Sequence, residues 1–135
     1  MTEYPLKILV ALGEAADGNT KIHQWLLDNS YPELAALISC MRGDKEAEEW
    51  LKKNKFSHLL AFHYAVYDDE NARKWLAMYK FNMLARLSDA INGYQPAMEY
   101  FRHNKLNVLI RLALKMKALK KEVLFDANDY HKIKF

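Results

Sequence analysis

The sequence predicts an all-α fold, an αα-superhelix (α-solenoid) of about nine short antiparallel helices. Three observations support this fold class. An aromatic–apolar pair recurs every 25 residues, at Trp25–Leu26, Trp50–Leu51, Trp75–Leu76 and Tyr100–Phe101, and such a period is typical of stacked-repeat proteins. Apolar residues within each period are three or four positions apart, as on one face of a helix. Four Gly and three Pro are too few for the many turns of a β fold.

Each 25-residue unit reads as two short helices, and residues 43–67 are the clearest example. Asp44 precedes the first helix and is suited to cap its free N–H groups. Asn54 is expected to end that helix in the left-handed conformation, which Asn tolerates, and the second helix begins near Phe56. Apolar anchors follow each aromatic pair at offsets of six, nine and twelve residues: Tyr31, Phe56, Phe81, Leu106; Leu34, Leu59, Leu84, Leu109; Leu37, Phe62, Leu87, Leu112.

The repeat register divides the chain into one helical-repeat domain that begins with a half unit. The predicted parts are an N-terminal capping helix (1–17), four repeats (18–42, 43–67, 68–92 and 93–117), and a C-terminal cap and tail (118–135). Lys105 to about Val123 should form one longer closing helix, and Phe125–Phe135 a turn with a short end. Helices this short are marginal alone, so stacking of the units is needed to bury their apolar faces.

The pattern A-x-x-W-L-x-x-N-x-F-x-x-L-x-x-F-x-x-A runs from Ala47 to Ala65. It resembles the short αα-repeats of uncharacterised bacterial helical-repeat proteins, and the resemblance covers roughly Pro5–Lys117. It implies the fold and carries no activity with it.

Charge and cysteine content indicate the compartment more than the function. Cys40 is the only cysteine, so no internal disulfide can form. The N-terminus lacks the basic region and long apolar run of a signal peptide, and a cytoplasmic protein without a membrane span is expected. Residues 1–70 carry a net charge of −5 and residues 102–135 a net charge of +6, so the chain is acidic at one end and basic at the other.

No sequence motif predicts an enzyme, a cofactor or a metal site. The five histidines form no metal-binding spacing. Cys40 falls in the column of Ala15, Ala65 and Ala90, where a small buried residue is expected rather than a nucleophile. Asp68–Asp69–Glu70 lies where a helix must start, so the helix dipole accounts for it. The aromatic stripe led by Trp50 is expected to form a ridge of the core.

The second helices are expected to present the binding surface. One surface row across the repeats is Ala36, Ala61, Arg86, Arg111, and the next is Ser39, Tyr64, Asp89, Leu114, with Glu33, His58, Met83 and Val108 at the rim. Tyrosine and arginine are enriched at interface hot spots. We therefore predict a non-enzymatic module that binds a protein or peptide through Tyr64, Arg86, Asp89 and Arg111; an ordinary solvated face is the alternative.

The basic C-terminal helix supports a second hypothesis. It carries Arg102, Lys105, Arg111, Lys115, Lys117, Lys120 and Lys121. Such a cluster could bind nucleic acid through phosphate contacts, or could keep the end of the repeat array soluble. Pairing of the acidic front of one chain with the basic back of another would give weak head-to-tail self-association of an otherwise monomeric protein.

Overall fold

A computed structural model describes residues 3–133 of the chain, with the side chains of residues 3–127. Over this range the chain forms nine α-helices and no strand. The helices are α1 (Leu6–Ala16), α2 (Thr20–Asp28), α3 (Pro32–Met41), α4 (Lys45–Lys53), α5 (Ser57–Val66), α6 (Glu70–Met78), α7 (Asn82–Ile91), α8 (Gln95–His103) and α9 (Asn107–Ile133). None of them, within the described range, is long and apolar enough to cross a lipid bilayer.

Capping hydrogen bonds confirm the predicted starts of α4 and α6. Asp44 accepts from the backbone N–H groups of Glu46 at 2.9 Å and Ala47 at 3.3 Å. Asp69 accepts from the N–H of Ala72 at 3.1 Å. These side chains satisfy donors that have no partner within the first turn of a helix. Helices α2, α4, α6 and α8 begin 25 residues apart.

The predicted left-handed conformation of Asn54 is wrong. Its φ is −96°, and the following residue, Lys55, takes the positive φ of 66°. The carbonyl of Trp50 accepts both the backbone N–H of Asn54 at 3.0 Å and its side-chain amide at 2.8 Å, so Asn54 caps the helix end with two hydrogen bonds. The residue with the left-handed conformation therefore lies one position later in the chain than predicted.

The predicted turn in the C-terminal tail is also wrong. Helix α9 begins at Asn107 and continues to Ile133, whereas the last two residues of the predicted tail lie outside the described range. Ala118 occupies the position at which Gly18, Gly43 and Gly93 take positive φ values between inner and outer helices. Alanine favours a helix where glycine ends it, so α9 continues through the position at which the preceding inner helices end.

The helices form two layers. The odd-numbered helices, which we call inner, pack against one another in chain order, and α9 also packs against α1. The even-numbered helices, which we call outer, each pack against the two inner helices that flank them in sequence. The five inner helices therefore make a closed circuit of contacts, and α1 and α9 meet instead of lying at opposite ends of a stack.

Gly13 lies where α1 and α9 approach each other closely. A Cβ atom on Gly13 would lie 3.1 Å from the Cδ of Lys115 and 3.9 Å from a methyl carbon of Leu112. Glycine leaves this space for the facing helix. The two helices that carry the ends of the chain can therefore pack directly against each other.

The core lies mainly on the inner helices. Five equivalent positions along them are at most 1 % exposed: Leu12, Leu37, Phe62, Leu87 and Leu112. Each outer helix contributes one side chain with no exposed surface, at Leu26, Leu51, Leu76 and Phe101. The preceding aromatic of each pair lies at the edge of the core rather than forming a buried ridge: Trp50 is half-buried and stacks on Phe56 at 5.9 Å.

Side chains at the ends of the inner helices join neighbouring units. Each donates to a carbonyl in the last turn of the preceding inner helix, at 2.9–3.1 Å: Arg42 to Ala16, Tyr67 to Met41, and Asn92 to Ala65. The last carbonyls of a helix have no partner within it. Three different side chains thus perform the same function at equivalent positions, which sequence similarity between the repeats does not reveal.

Candidate interaction surface

Two of the four predicted binding residues have partners within the chain. The hydroxyl of Tyr64 donates a short hydrogen bond to Glu48, and this bond raises the pKa of Tyr64 to about 12. The carboxylate of Asp89 accepts from the guanidinium of Arg73 at 2.8 and 3.1 Å. Such a two-bond arginine–carboxylate pair is geometrically specific. Both residues therefore join an outer helix to the following inner helix.

These contacts belong to a recurring set of outer–inner pairs separated by 16 residues. His23 and Ser39 hold the equivalent positions in α2 and α3, where Nε2 of His23 lies 3.2 Å from the Ser39 hydroxyl. The chemistry differs among these three units, but in each of them a polar residue on the outer helix meets a complementary one on the inner helix, whereas the fourth unit has Met98 and Leu114 at these positions. The row containing Ser39, Tyr64 and Asp89 therefore contributes contacts between outer and inner helices. A search for complementary residues 16 apart in successive units would have found these pairs.

Arg86 occupies a different environment. Its guanidinium lies over the ring of Tyr100, 3.8 Å from the ring centroid, in a favourable cation–π position. It lines a cavity of about 220 Å³ between α6, α7 and the start of α8. The cavity wall also contains Asn82, Tyr94 and the Arg73–Asp89 pair. Because that pair is internally neutralised, Arg86 contributes the cavity's unbalanced charge.

Arg111 is exposed on α9 and lines a second cavity, of about 90 Å³, between α9 and α1. The chain has five arginines. Three of them form ion pairs: Arg42 with Glu122, Arg73 with Asp89 and Arg102 with Glu99. Among the described side chains, Arg86 and Arg111 have no carboxylate within ion-pair distance. These two are the arginines of the predicted surface row.

The basic C-terminal helix is partly neutralised within the chain. Lys115 contacts Glu14 at 3.1 Å and Asp17 at 2.8 Å, and hydrogen bonds to Asp17 and Glu14 raise the pKa of Lys115. Lys120 donates to Asn92 at 2.8 Å and to Asp68 at 3.2 Å. The acidic front and the basic back of the chain thus meet within one molecule, which leaves fewer free charges for phosphate binding or head-to-tail association.

The polar cavity beside α2 lacks the arrangement of a serine hydrolase. It has a volume of about 440 Å³ and is lined by His23, Ser39 and Arg42, among others. Nε2 of His23 also lies 2.9 Å from the carbonyl of Ala35, so this nitrogen must carry the proton to make that contact. Because the protonated Nε2 has no free lone pair, it cannot accept the proton of the Ser39 hydroxyl, as a general base would.

Two further potentially reactive side chains among the described residues, Cys40 and His63, are buried. Burial raises the pKa of the Cys40 thiol to about 12, which suppresses the nucleophilic thiolate. His63 is buried between the rings of Tyr64 and Tyr67, and burial lowers the pKa of His63. No group of three or more potential metal ligands occurs among the described side chains.

Comparison with known proteins identifies no relative. No protein-family model matches the chain, and neither a curated protein nor a solved structure matches it significantly.

Proposed function

We propose that this protein is a non-enzymatic helical-repeat module that binds a protein or peptide. The 25-residue spacing of the outer helices supports an αα-repeat built from units 18–42, 43–67, 68–92 and 93–117. Stacked repeats of this kind use side chains on one helix layer for recognition. The binding face centres on Arg86 and Arg111, while Tyr64 and Asp89 hold the adjacent helices in position.

The observation that carries this proposal is the difference between the arginines. Arg42, Arg73 and Arg102 are neutralised by carboxylates of the same chain, whereas Arg86 and Arg111 are not. Both lie at the same repeat position, where the first two units have Ala36 and Ala61. Arginine with an aromatic neighbour is typical of interface hot spots, and Tyr100 supplies that neighbour for Arg86.

An affinity capture from cell lysate tests the proposal with variants matched in charge. Arg86→Glu/Arg111→Glu is compared with the wild-type chain and with Lys52→Glu/Lys53→Glu, which makes the same charge change on exposed positions of α4. Circular dichroism establishes that all three are helical. We expect a protein retained by wild type and by the α4 variant but lost from the arginine variant. Identical retention by all three would refute the proposed face.

The second candidate function is nucleic-acid binding through the basic part of α9. Lys117 and Lys121 have no carboxylate within ion-pair distance among the described side chains. Phosphate contacts weaken steeply as salt concentration rises. Nucleic acid captured by the wild-type chain, released by moderate salt and lost from Lys117→Glu/Lys121→Glu would favour this function over the first.

A further inference from the structure

The closed circuit of inner helices contains five neighbouring pairs but only four outer helices among the described residues. Helix α2 packs on the α1/α3 pair, α4 on α3/α5, α6 on α5/α7 and α8 on α7/α9. The α9/α1 pair is in contact, yet no outer helix of the described chain covers it. This pair is the place where the two ends of the repeat pattern meet, so neither flanking unit supplies a helix for it.

Side-chain exposure shows the consequence on α1. Val10 is 50 % exposed, whereas at the equivalent positions Ala35 and Ala85 are 1 % and 3 % exposed and Leu60 and Ile110 are half-buried. Leu6 is 65 % exposed, whereas its counterparts Phe56 and Phe81 are half-buried beneath the tryptophans of α4 and α6. In each covered pair an outer helix shields these positions. Two large apolar side chains are thus left in solvent where the fifth outer helix would lie.

A continuous groove follows the uncovered pair. One cavity of about 440 Å³ is lined by Tyr4, Leu6, Lys105 and Asn107, and the cavity of about 90 Å³ is lined by Val10, Gly13, Arg111 and Lys115. The two cavities share Leu9 and Val108. The groove is apolar along its floor. Its α9 side carries cationic side chains, of which Lys115 is paired with Glu14 on the α1 side.

We propose that this groove binds an amphipathic α-helix of a partner protein, which takes the place of the missing outer helix. This inference rests on the proposed binding function and specifies its partner. The four outer helices show what such a helix looks like: each is nine residues long, and in α4, α6 and α8 an aromatic–apolar pair packs on the core. Helix-in-groove recognition uses anchors of this kind.

The charge of the groove further defines the partner. Arg111 stands 25 residues after Arg86, whose guanidinium lies over Tyr100 of the covering helix α8. An aromatic residue in the partner helix fills the corresponding position over Arg111. Arg111 has no carboxylate within ion-pair distance among the described side chains, and Lys105 is exposed nearby along the groove. The partner helix therefore carries an acidic residue on the flank that faces α9.

Selection from a phage-displayed library of random peptides against the immobilised full chain tests this proposal. The selected peptides are expected to combine an aromatic–aliphatic pair with Asp or Glu at helical spacing. Leu6→Glu/Val10→Glu should bind a winning synthetic peptide at least about tenfold more weakly, because each anchor loses its apolar contact surface. Leu27→Glu is the matched control, since Leu27 is a similarly exposed apolar residue on α2, and it should bind as wild type.

Other outcomes separate this proposal from the broader one. If the selected peptides bind Leu6→Glu/Val10→Glu normally but no longer bind Arg86→Glu, the groove is not the binding site, whereas the proposed peptide-binding function is retained. A selection without any consensus would count against both. Sedimentation of the free protein adds a further check: a wild-type dimer that Leu6→Glu/Val10→Glu converts to a monomer would make the occupant a second copy of this chain, contrary to the proposal.

Discussion

The four covered inner-helix pairs and the uncovered α9/α1 pair are built from the same repeat positions but have different surfaces. In the α7/α9 pair, α8 buries Phe101 completely and places Tyr100 against Arg86. In the α9/α1 pair, Val10 and Arg111 face solvent. Burial of a repeat position therefore depends on the neighbouring helix, and the residue type alone does not determine it.

The two kinds of pair are also held together differently. Outer helices fasten the covered pairs through apolar side chains and through the outer–inner contacts such as Arg73–Asp89. The uncovered pair relies on close approach at Gly13 and on Lys115, which contacts two carboxylates of the opposite helix end. Apolar burial should dominate the stability of the covered pairs, and ion pairs should make up a larger share of the stability of the uncovered pair.

The largest expected effect comes from removing a covering side chain. Phe101→Ala should lower the free energy of unfolding by about 3–5 kcal/mol, the usual cost of truncating a fully buried phenylalanine. Val10→Ala removes an exposed side chain of the uncovered pair and should cost less than about 0.5 kcal/mol. Urea unfolding followed by circular dichroism measures both. Equal losses in the two variants would mean that the α9/α1 pair is covered after all.

A loss of stability of intermediate size is expected on acidification, and it arises at a residue of the covered pairs. His63 is 8 % exposed, and Nδ1 of His63 has no hydrogen-bond partner among the described residues. Burial lowers the pKa of His63, whereas Glu48 opposes the shift. The unfolded chain then binds a proton more readily than the folded one. Stability contributed by neutral His63 is present above a pH of about 6.5, the ordinary histidine value, and is lost as the pH falls toward the folded pKa.

His63→Leu should therefore make the unfolding free energy less sensitive to pH between about 7 and 5. His58 is the second histidine with a pKa lowered mainly by burial, so His58→Leu should act in the same direction and the double variant should be flatter than either. Urea unfolding over this pH range provides the measurement. An unchanged pH dependence in His63→Leu would show that the buried imidazole does not govern acid sensitivity.

The repeat pattern was sufficient to predict the helices and several caps, because helix formation depends on local spacing and capping residues. Asp44 and Asp69 cap α4 and α6 as expected. The closed circuit could not be predicted in this way, since contact between α1 and α9 depends on the summed rotation of all units. A glycine at position 13, where the other units have Ile38, His63, Ser88 and Ala113, was its one local sign.

The sequence prediction of the surface residues did not include their contacts within the chain. Composition singled out Tyr64, Arg86, Asp89 and Arg111 together, yet Tyr64 and Asp89 are paired with Glu48 and Arg73 on the neighbouring helix. Sequence columns show which residues share a face, but they do not show which residue of another helix lies opposite. Leu6 and Val10 were absent from the predicted surface because the residues at their repeat positions in the covered units are buried or half-buried.

The smallest expected effect concerns the ion pairs that close the uncovered pair. Side chains of Lys115 and Asp17 are 30 % and 44 % exposed, so solvent screens their attraction, and a double-mutant cycle with Lys115→Ala and Asp17→Ala should give a coupling of about 0.5–1 kcal/mol. The coupling should fall in about 1 M NaCl, because salt screens partly exposed charges. The exposed Glu99–Arg102 pair within α8, treated identically, should give a smaller value. A Lys115–Asp17 coupling no larger than that one would mean that apolar contacts and Gly13 close the circuit, with no measurable electrostatic contribution.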